Sequence, residues 1–198
     1  MLVFAKRKLV LLAMPKTGTT ALESALAPKA DVVMRDPPNL KHATAYRYDT
    51  YLRPYFEKCG MTDMKVLCVL RNPVDWLNSW YRYRQRPYVD GKPHSTKDMT
   101  FDHFANEYAK DEPAHWAQVG DPAKFVRNGK GDMLVDHLVQ YEQMDLLVAF
   151  LEDRLGTKIT LEKKNVSPKG DLELSRQTYN KLLRKKPQVF EDWVAAKL

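Results

Sequence analysis

The sequence predicts a single α/β domain built on a central parallel β-sheet flanked by helices on both faces. Three observations carry that prediction. Residues 9–14 and 66–70 are continuous apolar runs, the pattern of strands buried on both sides. Helix-forming segments alternate with such runs along the chain, as βαβ units require. Turn residues such as Gly18, Pro28, Pro37-Pro38 and Gly60 punctuate the alternation.

Taken in order, residues 8–14 form the first strand, and a glycine-containing turn leads into a helix over 20–27 that stops at Pro28. Residues 31–34 form a short second strand, 46–58 a helix ending before Gly60, and 65–70 another buried strand. Asn72-Pro73 supplies an N-cap and a proline at the first helical position, with Asp75 in the favourable end of the dipole. Residues 87–97 read as an exposed loop, and Thr100 caps a helix running to 110. Asn128-Gly129-Lys130-Gly131-Asp132 is turn chemistry, 134–141 the last core strand, and 144–155 a helix closed by Gly156. Residues 175–185 and 187–197 are C-terminal helices.

The chain has 198 residues, enough for one substantial core without disulfides. Cys59 and Cys68 form neither a disulfide framework nor a metal-ligand spacing, and Cys68 sits in an apolar run as a small hydrophobe. No run reaches the roughly 18–20 apolar residues of a membrane span. The apolar stretch after the basic start is too short for a signal-peptide core, so a cytoplasmic protein is expected. A net charge of +7 draws anions in general and does not choose among nucleic acid, membrane surfaces and phosphorylated ligands.

Two motifs sharpen the choice. Pro15-Lys16-Thr17-Gly18-Thr19-Thr20 lies between a strand and a helix, where successive backbone N–H groups and the helix dipole make an anion site. The fold expected around it is P-loop-like. A nucleoside-triphosphate loop would read G-x-x-x-x-G-K-[ST]. Here Ala13 replaces the first glycine, Thr19 stands in the lysine position, and the lysine is Lys16, two residues before Gly18. A P-loop kinase is therefore the weaker alternative, as is a non-catalytic nucleotide-binding protein.

In the second motif, Arg71 stands at a strand's carboxyl end and Ser79 about two turns into the next helix. An arginine fork with a nearby hydroxyl suits a phosphate monoester. With the first loop, the pair implies a ligand that has two separated anionic groups.

The loop from Pro15 to Thr20 resembles the 5′-phosphosulfate loop of the sulfotransferases that use 3′-phosphoadenosine-5′-phosphosulfate (PAPS). Arg71-Asn72-Pro73 with Ser79 resembles their 3′-phosphate motif, in the same order and spacing. Thr100-Phe101-Asp102-His103-Phe104, His115-Trp116, Tyr141-Glu142 and Asn165-Val166-Ser167-Pro168 are similar, less specifically, to segments of bacterial and Golgi-type carbohydrate sulfotransferases.

The resemblance implies that Lys16 stabilises the leaving group, that Lys16, Thr17, Gly18, Thr19 and Thr20 hold the 5′-phosphate, and that Arg71 and Ser79 hold the 3′-phosphate. It implies no required metal. Lys41-His42 is similar to a family segment whose histidine acts as base, and an imidazole titrates near working pH. Glu23 and Glu142 are reserve bases. The cofactor motifs occupy residues 9–86, and loops in 87–131 are expected to receive a small-molecule or carbohydrate acceptor, with Tyr88, His103, His115 and Trp116 as candidate contacts. The run Trp80-Tyr81-Arg82-Tyr83-Arg84-Gln85-Arg86 and the lysines in 181–186 resemble a nucleic-acid surface in composition. On a helix the run points around several faces, and it equally suits the entrance for an anionic cofactor or acidic acceptor. No nucleic acid is expected as a partner.

Overall fold

The computed structural model describes residues 1–162 and 173–197. The five strands there are β1 (Leu2–Phe4), β2 (Leu9–Leu11), β3 (Val32–Val33), β4 (Lys65–Leu70) and β5 (His137–Gln140). The helices are α1 (Thr19–Leu26), α2 (Pro38–Lys41), α3 (Ala45–Arg47), α4 (Arg53–Lys58), α5 (Pro73–Arg84), α6 (Phe101–Tyr108), α7 (Pro122–Val126), α8 (Met144–Leu155), α9 (Arg176–Lys185) and α10 (Pro187–Ala195). Among the described residues, no helix is long and apolar enough to cross a membrane.

The sheet is mixed, in the order β3-β1-β2-β4-β5. Strands β2, β4 and β5 run parallel, whereas β1 pairs antiparallel with both β2 and β3. The expectation of a wholly parallel sheet is corrected on this point. The physical reason is the short connection. A parallel crossover needs about a dozen residues or more, but β1 and β2 are joined by one helical turn at Ala5–Arg7 and a left-handed Lys8 (φ 50°). Only a hairpin can close over that distance. Strand β1 escapes sequence reading because its three residues sit beside a basic stretch.

Side chains alternate across the strands. Val3, Val10, Val66, Cys68 and Leu70 share one apolar cluster with Phe56, Trp76, Leu77, Tyr81, Phe101 and Phe104. Leu2, Leu9, Leu11, Leu67 and Val69 share the other with Leu22 and Leu26 of α1 and Leu147, Leu151 and Leu155 of α8. Cys68 is fully buried, as its apolar setting predicts.

The expected helix over 46–58 is a continuous helical stretch with a π-helical turn at Tyr48–Leu52 before α4. Pro54, at the start of α4, lacks the N–H that a regular α-helix would use there. Asn72 caps α5 by accepting from the N–H groups of Val74 and Asp75 (3.0 and 3.3 Å). Thr100 caps α6 through the N–H of His103 (3.2 Å).

Candidate functional site

Parallel strands end on one side of their sheet, and here each of the three delivers a residue to the same place. Strand β4 pairs with β2 from Leu9↔Lys65 to Leu11↔Leu67 and with β5 from Leu67↔His137 to Leu70↔Gln140. Beyond β2 runs the loop with Lys16, beyond β4 comes Arg71, and directly after β5 comes Tyr141. A cleft of about 340 Å³ opens at this edge. It is lined by Lys16, Gly18, Thr19 and Thr20, by Arg71 and Ser79, and by Lys41 and His42. Trp80, Tyr83, Arg86 and Tyr141 complete its wall. Two motifs far apart in sequence therefore share one cavity, and among the described residues no carboxylate lines it.

The loop is held from within. Thr17 is fully buried, and its hydroxyl donates to the carbonyl of Met14 (2.9 Å). Thr17 does not line the cleft; its side chain shapes the loop, leaving only its backbone as a ligand group. Gly18 is left-handed (φ 75°) and stands at the N-cap of α1 with no side-chain cap. The Ala21 and Leu22 N–H groups bond to Gly18, so those of Thr19 and Thr20 precede the first intrahelical bond and remain available. A Cβ added at Gly18 would meet Cε2 of Tyr141 at 3.0 Å and Cε of Met144 at 3.5 Å.

Lys16 also adopts a left-handed backbone (φ 69°). For a lysine that conformation costs on the order of 1–2 kcal/mol. It places Nζ 3.4 Å from the Tyr83 ring centroid and 4.8 Å from that of Trp80. Burial, reinforced by the charges of Arg86 and Arg84, lowers the Lys16 pKa to about 7. An ammonium kept this short of water and of counter-charge favours an arriving anion.

Arg71 stacks its guanidinium over Tyr141, with Cζ 4.7 Å from the ring centroid. Its Nε is buried without a hydrogen-bond partner among the described residues. An unpaired buried donor costs about 1–3 kcal/mol, a cost that a phosphate oxygen removes. Trp76 of α5 donates its indole N–H to the carbonyl of Pro15 (3.0 Å), tying the two motifs together.

His42 follows α2, and its Nδ1 lies 2.6 Å from the carbonyl oxygen of Ala13. That oxygen can only accept, so Nδ1 carries the proton and Nε2 keeps its lone pair. Burial lowers the His42 pKa below its ordinary value of 6.5, and the Ala13 bond only partly offsets this. The ring is thus held neutral and able to accept a proton.

Both reserve carboxylates are occupied elsewhere. Glu23 pairs with Lys41 (2.8 Å) and Arg35 (2.5 Å). Burial alone would raise its pKa, but these two cations outweigh burial and hold it below the ordinary value. Glu142 accepts from the N–H of Asn72 (2.8 Å) and the indole N–H of Trp193 (3.0 Å), outside the cleft. It joins the start of α5 to α10.

Among the acceptor candidates, Tyr88 is exposed and packs edge-on to Tyr83, 6.0 Å between ring centroids. His103 packs against Trp116 at 5.1 Å, and neither lines the cleft, nor does His115. The segment from Asn165 to Pro168 lies outside the described residues. In the basic run, Tyr81 and Arg84 are buried, and Arg84 donates to the carbonyls of Trp116 and Gln118. The lysines of α9 reach α6 and its neighbourhood: Lys181 bonds Asn106, and Lys185 pairs with Asp111.

Trp80, Tyr83 and Arg86 of the run read as a possible entrance for an anion do line the cleft, whereas sequence reading missed Tyr141 in the wall and Trp76 behind it. The one available signal was position, since Tyr141 directly follows the third parallel strand. No protein-family model matches the chain, and no curated protein matches it.

Proposed function

We propose that the chain is a PAPS-dependent sulfotransferase on a P-loop-like sheet with helices on both faces. The observation that carries this reading is the convergence of Lys16, Thr19 and Thr20 with Arg71 and Ser79 in one cation-lined cleft, with no carboxylate among its described lining residues. Two separated anion-binding groups, one a helix N-terminus and the other an arginine with a hydroxyl, match a nucleotide phosphorylated at both its 5′ and 3′ positions. The unpartnered Nε of Arg71 and the narrow approach at Gly18 fit such a ligand.

PAPS supplies a sulfuryl group whose transfer forms an oxygen–sulfur bond to an acceptor hydroxyl, or a nitrogen–sulfur bond to an amine, breaks the sulfur bond to the 5′-phosphate oxygen and frees one proton. Nε2 of His42 is the group proposed to receive that proton from the acceptor hydroxyl or amine. The ammonium of Lys16 stabilises negative charge on the leaving 5′-phosphate side, aided by the N–H groups of Thr19 and Thr20. Arg71 and Ser79 fix the register of the nucleotide, so that positioning replaces covalent catalysis. The 87–131 loops are proposed to receive the acceptor, a carbohydrate among the candidates.

A thermal-shift titration tests the donor class. Adenosine 3′,5′-bisphosphate should stabilise the protein, and ATP with Mg²⁺ should not. A release assay then separates enzyme from binder, because only an enzyme liberates adenosine 3′,5′-bisphosphate from PAPS repeatedly. Stabilisation by ATP alone would sink the proposal.

A further inference from the structure

The cleft wall holds a further cation beyond those assigned to the donor's two ends. Lys16 and the loop serve the 5′ end, and Arg71 with Ser79 serves the 3′ end. Lys41 is engaged by Glu23 at 2.8 Å, a carboxylate it shares with Arg35. Arg86 remains, half-buried in the wall and without an ion pair among the described residues. Resting on the sulfotransferase reading, we propose that the acceptor is itself an anion, a hydroxyl compound whose carboxylate, sulfate or phosphate is held by Arg86.

Placement supports this role over a second contact to the 3′-phosphate. Cζ of Arg86 lies 5.2 Å from the Tyr83 ring centroid, and Nζ of Lys16 lies 3.4 Å from the same centroid. One ring thus gathers both cations at the transfer end of the cleft. Arg71 stacks instead on Tyr141, a different wall. Arg86 also stands just beyond α5, where the chain enters the loop that starts at Pro87.

The neighbours suit such a ligand. The Tyr88 ring packs edge-on to Tyr83, 6.0 Å between centroids, and the guanidinium of Arg86 lies over that same Tyr83 ring, so aromatic faces rather than carboxylates flank it. A carboxylate or sulfate can take two parallel N–H bonds from such a fork. Tyr83 and the exposed Tyr88 add ring surface against which a sugar or aryl body can pack. Like charges at Lys16 and Arg86 repel one another, and an anionic acceptor relieves that repulsion where a neutral one cannot.

Two matched pairs of probes test the inference on full-length protein saturated with adenosine 3′,5′-bisphosphate. They are 4-nitrophenyl β-glucuronide against the glucoside, and 4-hydroxyphenylacetate against 4-methylphenol, each titrated by calorimetry. In at least one pair the charged member should bind about tenfold more tightly, as one charge-assisted contact predicts. Arg86→Gln should abolish the preference while the protein still binds adenosine 3′,5′-bisphosphate. Equal or undetectable binding of both members in both pairs overturns the inference, as does a preference that survives Arg86→Gln. A loss of PAPS affinity relative to adenosine 3′,5′-bisphosphate in Arg86→Gln also overturns it, because Arg86 would then hold the sulfuryl group. If wild-type protein fails to bind adenosine 3′,5′-bisphosphate, the donor reading falls together with this one; binding without charge preference removes only the acceptor class.

Discussion

The indole N–H of Trp76 bonds to the carbonyl of Pro15 at 3.0 Å, so the helix that carries Ser79 also holds the loop that carries Lys16. The two motifs are therefore one mechanical unit, although 61 residues separate the bonded pair. Trp76 is 2% exposed, and its ring also packs edge-on to Tyr108.

Trp76→Phe should lower stability by about 1–2 kcal/mol, since it leaves the Pro15 carbonyl unpaired. It should also weaken adenosine 3′,5′-bisphosphate binding although Trp76 does not line the cleft. Denaturant unfolding together with calorimetric titration checks both. Normal affinity in a destabilised variant would show that the loop holds its shape without α5.

Lys16 should make nucleotide binding pH-dependent. Its pKa is about 7 in the free protein, and a bound phosphate must raise it. Binding therefore takes up a proton above pH 7, and affinity should fall as pH rises from 7 toward the bound-state value. Lys16→Met should flatten that profile and abolish transfer. Stability has a related sign. The folded pKa lies below the ordinary 10.5, so the unfolded chain binds more protons between about 7 and 10.5, and this residue's destabilising effect fades as pH rises through that window. Lys16→Met should accordingly raise the melting temperature at pH 6 more than at pH 9.

Arg71→Ala should erase the preference for adenosine 3′,5′-bisphosphate over adenosine 5′-monophosphate, at a loss of roughly 10- to 100-fold in affinity for the former. Affinity for the monophosphate should hardly change. Ser79→Ala should show the same selectivity at a smaller scale, roughly 3- to 10-fold. A uniform loss for both nucleotides would place Arg71 in the fold rather than at the 3′-phosphate.

His42→Gln should reduce PAPS turnover by about 10²–10⁴-fold with nucleotide affinity intact. In wild type, activity should climb with pH through a value below the ordinary 6.5, because the base works only when neutral. Glu142→Gln should act differently, lowering stability through the Asn72 and Trp193 contacts and leaving the pH midpoint in place. Should Glu142→Gln shift that midpoint, the carboxylate would be the base after all.

Gly18→Ala combines a left-handed backbone with a 3.0 Å approach to the Tyr141 ring. A loss of about 1–2 kcal/mol is expected from the backbone alone. Movement of Tyr141 should also disturb its stacking on Arg71, so selectivity for the 3′-phosphate should fall in the same variant. Unfolding curves and the two-nucleotide comparison read these effects separately.

Local chemistry made much of this legible in the sequence. The apolar run of β4, the Asn72 cap, the strand–loop–helix around Lys16 and the eight-residue step from Arg71 to Ser79 each depend on neighbours within a turn or two. Such features are written where they act. Strand β1 was not legible, because its pairing depends on the length of the connection to β2 more than on its own three residues.

Which ionisable groups are available to do chemistry was decided only by the tertiary structure. Glu23, Glu142 and Lys41 look as reactive in sequence as His42 or Arg71, yet long-range partners occupy the first three. The neutral tautomer of His42 depends on Ala13, 29 residues away, and the depressed pKa of Lys16 on burial beside Arg86 and Arg84. A side chain's charge and proton affinity follow from what surrounds it in space, and only the folded sheet edge brings those surroundings together.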